Sequence, residues 1–202
     1  MTYNKPDTKL DECIYIAEKI IPADLCDAVV KDIETREWKP HFWYNSEPDG
    51  SFTTKSKETM ELDVQNTTPE LQRTLGNFIV EAARKYNKNY SYQHPSCIER
   101  TGQFMTQFCP IRFNRYTPGQ IMRQHHDHIH SIFDGKLKGI PVLSFILNFN
   151  DDYEGADLFF WEDTVVPLGK GDIIMFPSNW LFPHGVTEAT KGKRYSAVTW
   201  GW

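Results

Sequence analysis

The sequence predicts an α+β fold that is mainly β, in which two helices precede about eight short strands. Apolar residues recur with helical spacing only in the first half of the chain. In the second half, short apolar runs alternate with turns rich in glycine, proline and asparagine. Helices followed by many short strands are expected to pack on an antiparallel sheet or on a sandwich-like barrel.

The first predicted helix starts at Pro22, a residue that is favourable at the start of a helix. Leu25, Val29 and Ile33 then recur every four residues and form one apolar stripe, which we expect to pack on the core. The stretch that follows, 38–66, is polar and irregular. Because such a long loop is uncommon in a compact domain, it is either a mobile lid or an ordinary surface loop.

The second predicted helix follows Thr68, whose hydroxyl can cap the free N–H groups of the first turn. Pro69 suits the first helical position because its missing N–H is not needed there. Leu71 and Leu75 begin the buried stripe, and the helix is expected to end near Lys88 and Asn89.

Strands are predicted where apolar and polar residues alternate between turns. The clearest example is Val142 to Asn150, because successive side chains of a strand point to opposite faces. Leu143, Phe145, Leu147 and Phe149 are predicted on one face and Ser144, Ile146, Asn148 and Asn150 on the other. Further strands are predicted at residues 14–16, 102–116, 157–161, 172–176 and 194–202.

The motif His125-His126-Asp127 lies within this β region. On an extended strand the period of two places His125 and Asp127 on the same side, about 6–7 Å apart at the backbone. An imidazole and a carboxylate on one face suggest two ligands of a metal site. Two nitrogens and one carboxylate around a metal with open positions suit non-haem Fe(II).

A third ligand and a partner for an anion are both available nearer the C-terminus. His184 is the only histidine after His130, and it follows Pro183 in a segment that we expect to be irregular. Arg194 and Ser196 share one face of the last predicted strand. A guanidinium inside a barrel is costly unless an anion pairs with it, so a ligand carboxylate is a natural partner for Arg194.

This ordered set of residues resembles the Fe(II)/2-oxoglutarate-dependent dioxygenases, and within them the prolyl 4-hydroxylase-like branch. The resemblance covers roughly residue 102 to the C-terminus. It rests on a tyrosine and glycine before the His-x-Asp motif, a distal histidine, and an arginine followed six residues later by tryptophan. These residues are Tyr116, Gly119, His125, Asp127, His184, Arg194 and Trp200.

The resemblance implies a double-stranded β-helix, a jelly-roll or cupin-like core formed by residues 101–202, with residues 1–100 providing N-terminal helices packed on one sheet and a loop. Residues 1–202 would form one domain. Fe(II) would be bound by His125, Asp127 and His184, and ascorbate would act as reductant. The co-substrate 2-oxoglutarate would contact Tyr116, Ile146, Asn148, Leu158, Val186, Arg194, Ser196 and Trp200.

By the same resemblance, the enzyme would use O₂ to convert 2-oxoglutarate to succinate and CO₂ while it hydroxylates a C–H bond, for example of a prolyl residue in a peptide or protein. Two positions depart from the branch. Asn148 stands where many prolyl hydroxylases have tyrosine, and Ala156 stands where the branch usually has a second glycine after Gly155. These departures concern the co-substrate contacts and local packing.

Other functions remain open at this point. A hydroxylase of similar fold could act on a small molecule, and a cupin-like module could bind metal without catalysis. Histidines at two-residue spacing, His126, His128 and His130, would also suit zinc and a hydrolase. Nucleic-acid demethylation is disfavoured, since related demethylases have a further arginine at the position of Trp200.

Composition narrows the partners and the location. The 202 residues carry a net charge of −5, which argues against binding to a phosphate backbone. The sequence has no apolar run of the roughly 18–20 residues that span a bilayer, and no secretory signal is recognised in residues 1–11. We therefore expect a cytoplasmic protein without membrane or nucleic-acid partners, whose four scattered cysteines are reduced.

Overall fold

The computed structural model describes residues 9–41, 45–46, 52–53, 60–62, 67–93, 105, 107–127 and 141–202. Within these residues the chain forms two α-helices and a set of antiparallel strands. The helices lie on one side of a large sheet, and a smaller sheet faces its other side.

The helices are α1, Ala23–Ile33, and α2, Pro69–Gln93. Thr68 caps α2 as predicted, because its hydroxyl accepts a hydrogen bond from the Leu71 N–H at 3.2 Å. The end of α2 near Asn89 was predicted too early. Tyr86 and Tyr90 both belong to the later turns of α2, and their rings stack on each other. Packing of this kind overrides weak helix propensity.

The large sheet contains seven strands in the order β1-β12-β8-β15-β6-β5-β2. The central strand β15 pairs with β8 on one side and with β6 on the other. The strands of this sheet are β1 (Tyr15–Ala17), β2 (Lys39–Pro40), β5 (Met60–Leu62), β6 (Arg112–Tyr116), β8 (Leu143–Asn148), β12 (Ile173–Pro177) and β15 (Arg194–Gly201).

The small sheet has the order β11-β10-β13-β7, and two strand pairs, β9 with β14 and β3 with β4, complete the β-structure of the described residues. The bounds of these strands are β3 (Asn45–Ser46), β4 (Phe52–Thr53), β7 (Met122–His125), β9 (Glu154–Gly155), β10 (Leu158–Phe160), β11 (Thr164–Val166), β13 (His184–Val186) and β14 (Ala189–Lys191).

Two separate cores follow from strand alternation. Phe113, Phe145 and Leu147 point from the large sheet towards the helices, and none of the three side chains is accessible to solvent. The opposite face of the large sheet meets the small sheet around Phe160 and Phe176. The predicted division of residues 142–150 between two faces is therefore confirmed, and the inner face forms a chamber between the sheets.

Three local predictions need correction. Part of the region 38–66 belongs to the large sheet, because β5 pairs with both β6 and β2. Most of the remaining residues of this region, on which the lid hypothesis depends, lie outside the described residues. His184 begins a strand and does not lie in an irregular segment, and β11 and β14 were not predicted. These strands are three residues long and contain too few alternations for a periodicity signal.

No helix in the described part of the chain is long and apolar enough to cross a membrane.

Candidate active site

Two neighbouring strands of the small sheet bring the predicted metal ligands together. Strand β7 ends at His125 and β13 begins at His184, and the two residues are direct antiparallel partners. Their imidazole centroids are 4.4 Å apart. Asp127 lies two residues beyond the end of β7, so it reaches the histidines from the chain that leaves the strand and not from the extended strand itself.

The three side chains present their ligand atoms to a common point. The Nε2 atoms of His125 and His184 lie 3.5 and 3.6 Å from the two carboxylate oxygens of Asp127. One ligand atom from each residue lies within 4.8 Å of the other two. No other group of three such side chains was found among the described residues.

Backbone carbonyls determine which nitrogen of each imidazole is free. Nδ1 of His125 lies 2.8 Å from the Arg123 carbonyl, and Nδ1 of His184 lies 3.1 Å from the Phe182 carbonyl. Because a carbonyl oxygen can only accept, each Nδ1 is the donor and the proton resides there. In its neutral form each imidazole therefore keeps the Nε2 lone pair for a metal ion.

Asp127 is buried and is held by a chain of two hydroxyls. The Ser144 hydroxyl donates to Asp127 Oδ2 at 2.6 Å, and the Ser178 hydroxyl lies 2.8 Å from that of Ser144. Burial acts to raise the pKa of Asp127, but His184, His125 and the Ser144 hydrogen bond outweigh burial and hold this pKa below its usual range. The carboxylate is thus ionised and suited to bind a cation.

His184 is nearly inaccessible to solvent, with 4% of its surface exposed. Burial lowers its pKa to about 4, an effect that the Asp127 carboxylate opposes only in part and that His125 strengthens. Neutral imidazole is the form that binds metals. Two imidazole nitrogens and one ionised carboxylate form the donor set of a non-haem Fe(II) site, so the residues present fit this ion.

Arg194 occupies the far end of the same chamber. Its side chain is 1% exposed, and Nε and Nη1 donate to Asn148 Oδ1 at 3.0 Å and to the Ala156 carbonyl at 2.8 Å. The guanidinium carbon lies 5.8 Å from the ring centroid of Tyr116 and 6.0 Å from that of Tyr153. No carboxylate of the described residues forms an ion pair with it. A cavity of about 200 Å³ reaches this guanidinium.

Asn148 supports Arg194 with a side chain that is already fully engaged. Its oxygen accepts from Arg194, while its amide nitrogen contacts the carbonyls of Asn150, Leu168 and Gly169 at 2.7, 3.2 and 3.3 Å. In this arrangement the amide fixes the position of the guanidinium, and its polar atoms are directed at the protein.

Register places the remaining predicted residues in the same chamber. Across β6, β15 and β8, Tyr116 is opposite Arg194, and Ser196 lies between Asn114 and Asn148. Two residues after Ser196 on β15, Val198 lies opposite Ile146 on β8. Leu158 and Val186 are partners in the small sheet and face the large sheet, and Trp200 lies opposite Ser144.

Sequence reasoning did not identify Ser144, Ser178 or Ala156 as parts of the site. Alternation already put Ser144 on the face of Ile146 and Asn148, which was a usable signal. Ala156 has a φ of +51, an unusual value for a residue with a Cβ, and this turn directs its carbonyl to Arg194. Among the extra histidines, His126 is exposed and outside the cluster, whereas His128 and His130 lie outside the described residues.

Comparison with known proteins agrees with this geometry. Residues 111–202 match the family model described as the 2OG-Fe(II) oxygenase superfamily. A PKHD-type hydroxylase of Shewanella sp. strain MR-7 is 34% identical over 99 residues, which are 46% of this chain and 43% of that relative. The match therefore spans less than half of the relative's length.

Solved structures match the fold over most of the chain. A Pseudomonas putida prolyl-4-hydroxylase has a TM-score of 0.55 and 19% identity, and the match covers 94% of this chain and 91% of that one. A prolyl hydroxylase from Trichoplax adhaerens, solved with a peptide fragment of hypoxia inducible factor, has a TM-score of 0.63 and 13% identity, with coverages of 95% and 84%. The predicted double-stranded β-helix is thereby confirmed.

Proposed function

We propose that this protein is an Fe(II)- and 2-oxoglutarate-dependent dioxygenase that hydroxylates a C–H bond, since residues 111–202 match the family model of the 2OG-Fe(II) oxygenase superfamily. The observation that carries the proposal is the combination of two groups in one chamber. His125, Asp127 and His184 lie close enough together to bind one metal ion, and Arg194 is a buried cation without a carboxylate partner among the described residues.

In this proposal His125, Asp127 and His184 would hold Fe(II) through two imidazole nitrogens and one carboxylate, the donor set of non-haem iron oxygenases. The bound ion supplies the redox chemistry that couples decarboxylation of 2-oxoglutarate to insertion of oxygen into the substrate. The Arg123 and Phe182 carbonyls orient the two imidazoles, and Ser144 orients the carboxylate of Asp127. Such supporting hydrogen bonds strengthen a metal site considerably.

Arg194 would bind the carboxylate of 2-oxoglutarate that is remote from the metal. The planar guanidinium can hold a carboxylate with two parallel hydrogen bonds, and burial strengthens this attraction. Tyr116 and Ser196 would add a phenol and a hydroxyl from the neighbouring strand positions. Ile146, Leu158 and Val186 would line the chamber with apolar surface that excludes water from the reaction.

We infer a prolyl residue of a peptide or protein as the substrate to test first. The support is the similarity to a PKHD-type hydroxylase and to two prolyl hydroxylase structures, one of which contains a peptide. A small-molecule hydroxylase of the same fold is the alternative. Mass spectrometry of candidate peptides after reaction would distinguish the two, because only peptide hydroxylation adds one oxygen to a peptide. Ascorbate would keep the iron reduced.

The test of the reaction class is formation of succinate from 2-oxoglutarate in the presence of Fe(II) and ascorbate. Asp127→Ala is expected to abolish it, and Arg194→Met is expected to raise the KM for 2-oxoglutarate at least tenfold. Arg84→Met is the matched control, because it removes the same charge from an exposed position on α2. Undiminished turnover in Asp127→Ala would contradict the proposal, and metal binding without turnover would favour a non-catalytic cupin-like module.

A further inference from the structure

A second arginine lies on the inner face of the large sheet, at the end opposite to Arg194. Arg112 is the first residue of β6, and alternation places it on the same face as Asn114 and Tyr116. Its neighbour Phe113 points the other way and packs beneath the helices. Arg112 is therefore directed towards the chamber, where it is half-buried.

Arg112 contacts Trp200 on the adjacent strand. Arg112 is opposite Val198 in the register, so Trp200 is its diagonal neighbour on the same face. The guanidinium carbon lies 5.9 Å from the centroid of the indole, within the range of a cation–π interaction. The pair thus combines a guanidinium with an indole N–H at one position of the chamber.

This position is next to the metal ligands. Trp200 lies directly opposite Ser144, whose hydroxyl donates to Asp127. Arg194 is six residues earlier on β15, which corresponds to about 20 Å along the strand. Arg112 and Arg194 therefore mark opposite ends of the large sheet's inner face, and of these two residues Arg112 lies at the end that holds the metal ligands.

The indole nitrogen of Trp200 has no acceptor among the described residues. Trp200 is 6% exposed, and no side chain or backbone group in the described part of the chain accepts a hydrogen bond from its buried Nε1. A buried donor without an acceptor costs free energy, which a ligand oxygen placed there would recover. The Arg112 guanidinium, 5.9 Å from the centroid of the same indole, favours an anionic oxygen, and its planar geometry matches a carboxylate.

We propose that Arg112 and Trp200 bind a carboxylate of the primary substrate beside the metal centre. This inference rests on the proposed function, in which Arg194 already holds the remote carboxylate of 2-oxoglutarate. It specifies the substrate class as a molecule, or a residue of a peptide, that carries a carboxylate close to the carbon to be hydroxylated.

Trifluoroacetate can serve as a carboxylate probe, with Mn(II) as a stable paramagnetic substitute for Fe(II). Water-proton relaxation first measures Mn(II) binding and its loss in Asp127→Ala, which tests the metal site of the proposed function separately. With 2-oxoglutarate at saturation, we expect ¹⁹F broadening of trifluoroacetate by the bound Mn(II). Arg112→Met should weaken this binding at least tenfold, and Trp200→Phe, which keeps a ring but removes the N–H, several-fold.

Arg84→Met is again the control and should leave the broadening unchanged, and thermal melts would verify that each variant is folded. Arg112→Lys keeps the charge without the planar fork and should bind the probe with intermediate affinity. The inference is overturned if Mn(II) binds but saturating 2-oxoglutarate abolishes the broadening, because the position then belongs to the co-substrate. Equal broadening in wild type and folded Arg112→Met would overturn it as well.

Discussion

Ser144→Ala is expected to weaken metal binding at the candidate active site while leaving all three ligands in place. The hydroxyl of Ser144 donates to Asp127 Oδ2 at 2.6 Å, and neither residue is appreciably exposed to solvent. Removing it leaves one carboxylate oxygen without its neutral donor. The carboxylate then loses both orientation and part of the stabilisation of its charge.

The size of the effect follows from the type of hydrogen bond. A hydrogen bond to a charged group contributes about 1.5–3 kcal/mol. Since 1.4 kcal/mol corresponds to a factor of ten, this gives a loss of roughly 10- to 150-fold in affinity. Loss of a residue that supports a metal ligand typically lowers metal affinity about 10- to 100-fold, which agrees with this range.

The assay is a titration of the metal-free protein with Mn(II), followed by water-proton relaxation, together with Fe(II)-dependent succinate formation. Excess Fe(II) should largely restore the turnover of Ser144→Ala, because its ligands are intact. Ser178→Ala is the control, since it removes only the more distant hydroxyl and should have a smaller effect. If folded Ser144→Ala binds Mn(II) within twofold of wild type, the assigned role of Ser144 is refuted.

Three further predictions concern the fold. Gly155→Ala should lower the thermal midpoint by several degrees, because φ is +70 and the new Cβ would lie against the Glu188 carbonyl oxygen, and an unchanged midpoint would contradict this. Thr68→Ala should lower the free energy of unfolding, measured in urea, by about 1 kcal/mol because the α2 cap is lost. Thr68→Ser keeps a capping hydroxyl and should retain most of that stability. Burial acts to raise the pKa of Glu34, but hydrogen bonds from Arg115 and other groups outweigh burial and lower this pKa. Ionised Glu34 therefore stabilises the folded protein fully at pH values above the ordinary carboxyl range, and this stabilisation is lost as the pH falls. The stability difference between wild type and Glu34→Gln should accordingly be largest near neutral pH and disappear in strong acid, and a pH-independent difference would refute this.

Local patterns were sufficient for much of the fold. The cap at Thr68 and the alternation of residues 142–150 were predicted correctly, because both depend on residues close in sequence. The short strands β13 and β14 were missed, since their pairing depends on partners far along the chain. The same limitation explains why His184 was expected in an irregular segment.

The sequence by itself determined which residue types could bind a metal and an anion, and on which face of a strand several of them lie. It could not determine which strands meet, because alternation specifies a face and not a partner or a register. Only the tertiary structure placed His184 opposite His125, although 59 positions separate them, and brought Ser144 onto Asp127. It likewise joined Arg112 to Trp200, a pair that no local pattern indicated, since their contact depends on the pairing of β6 with β15.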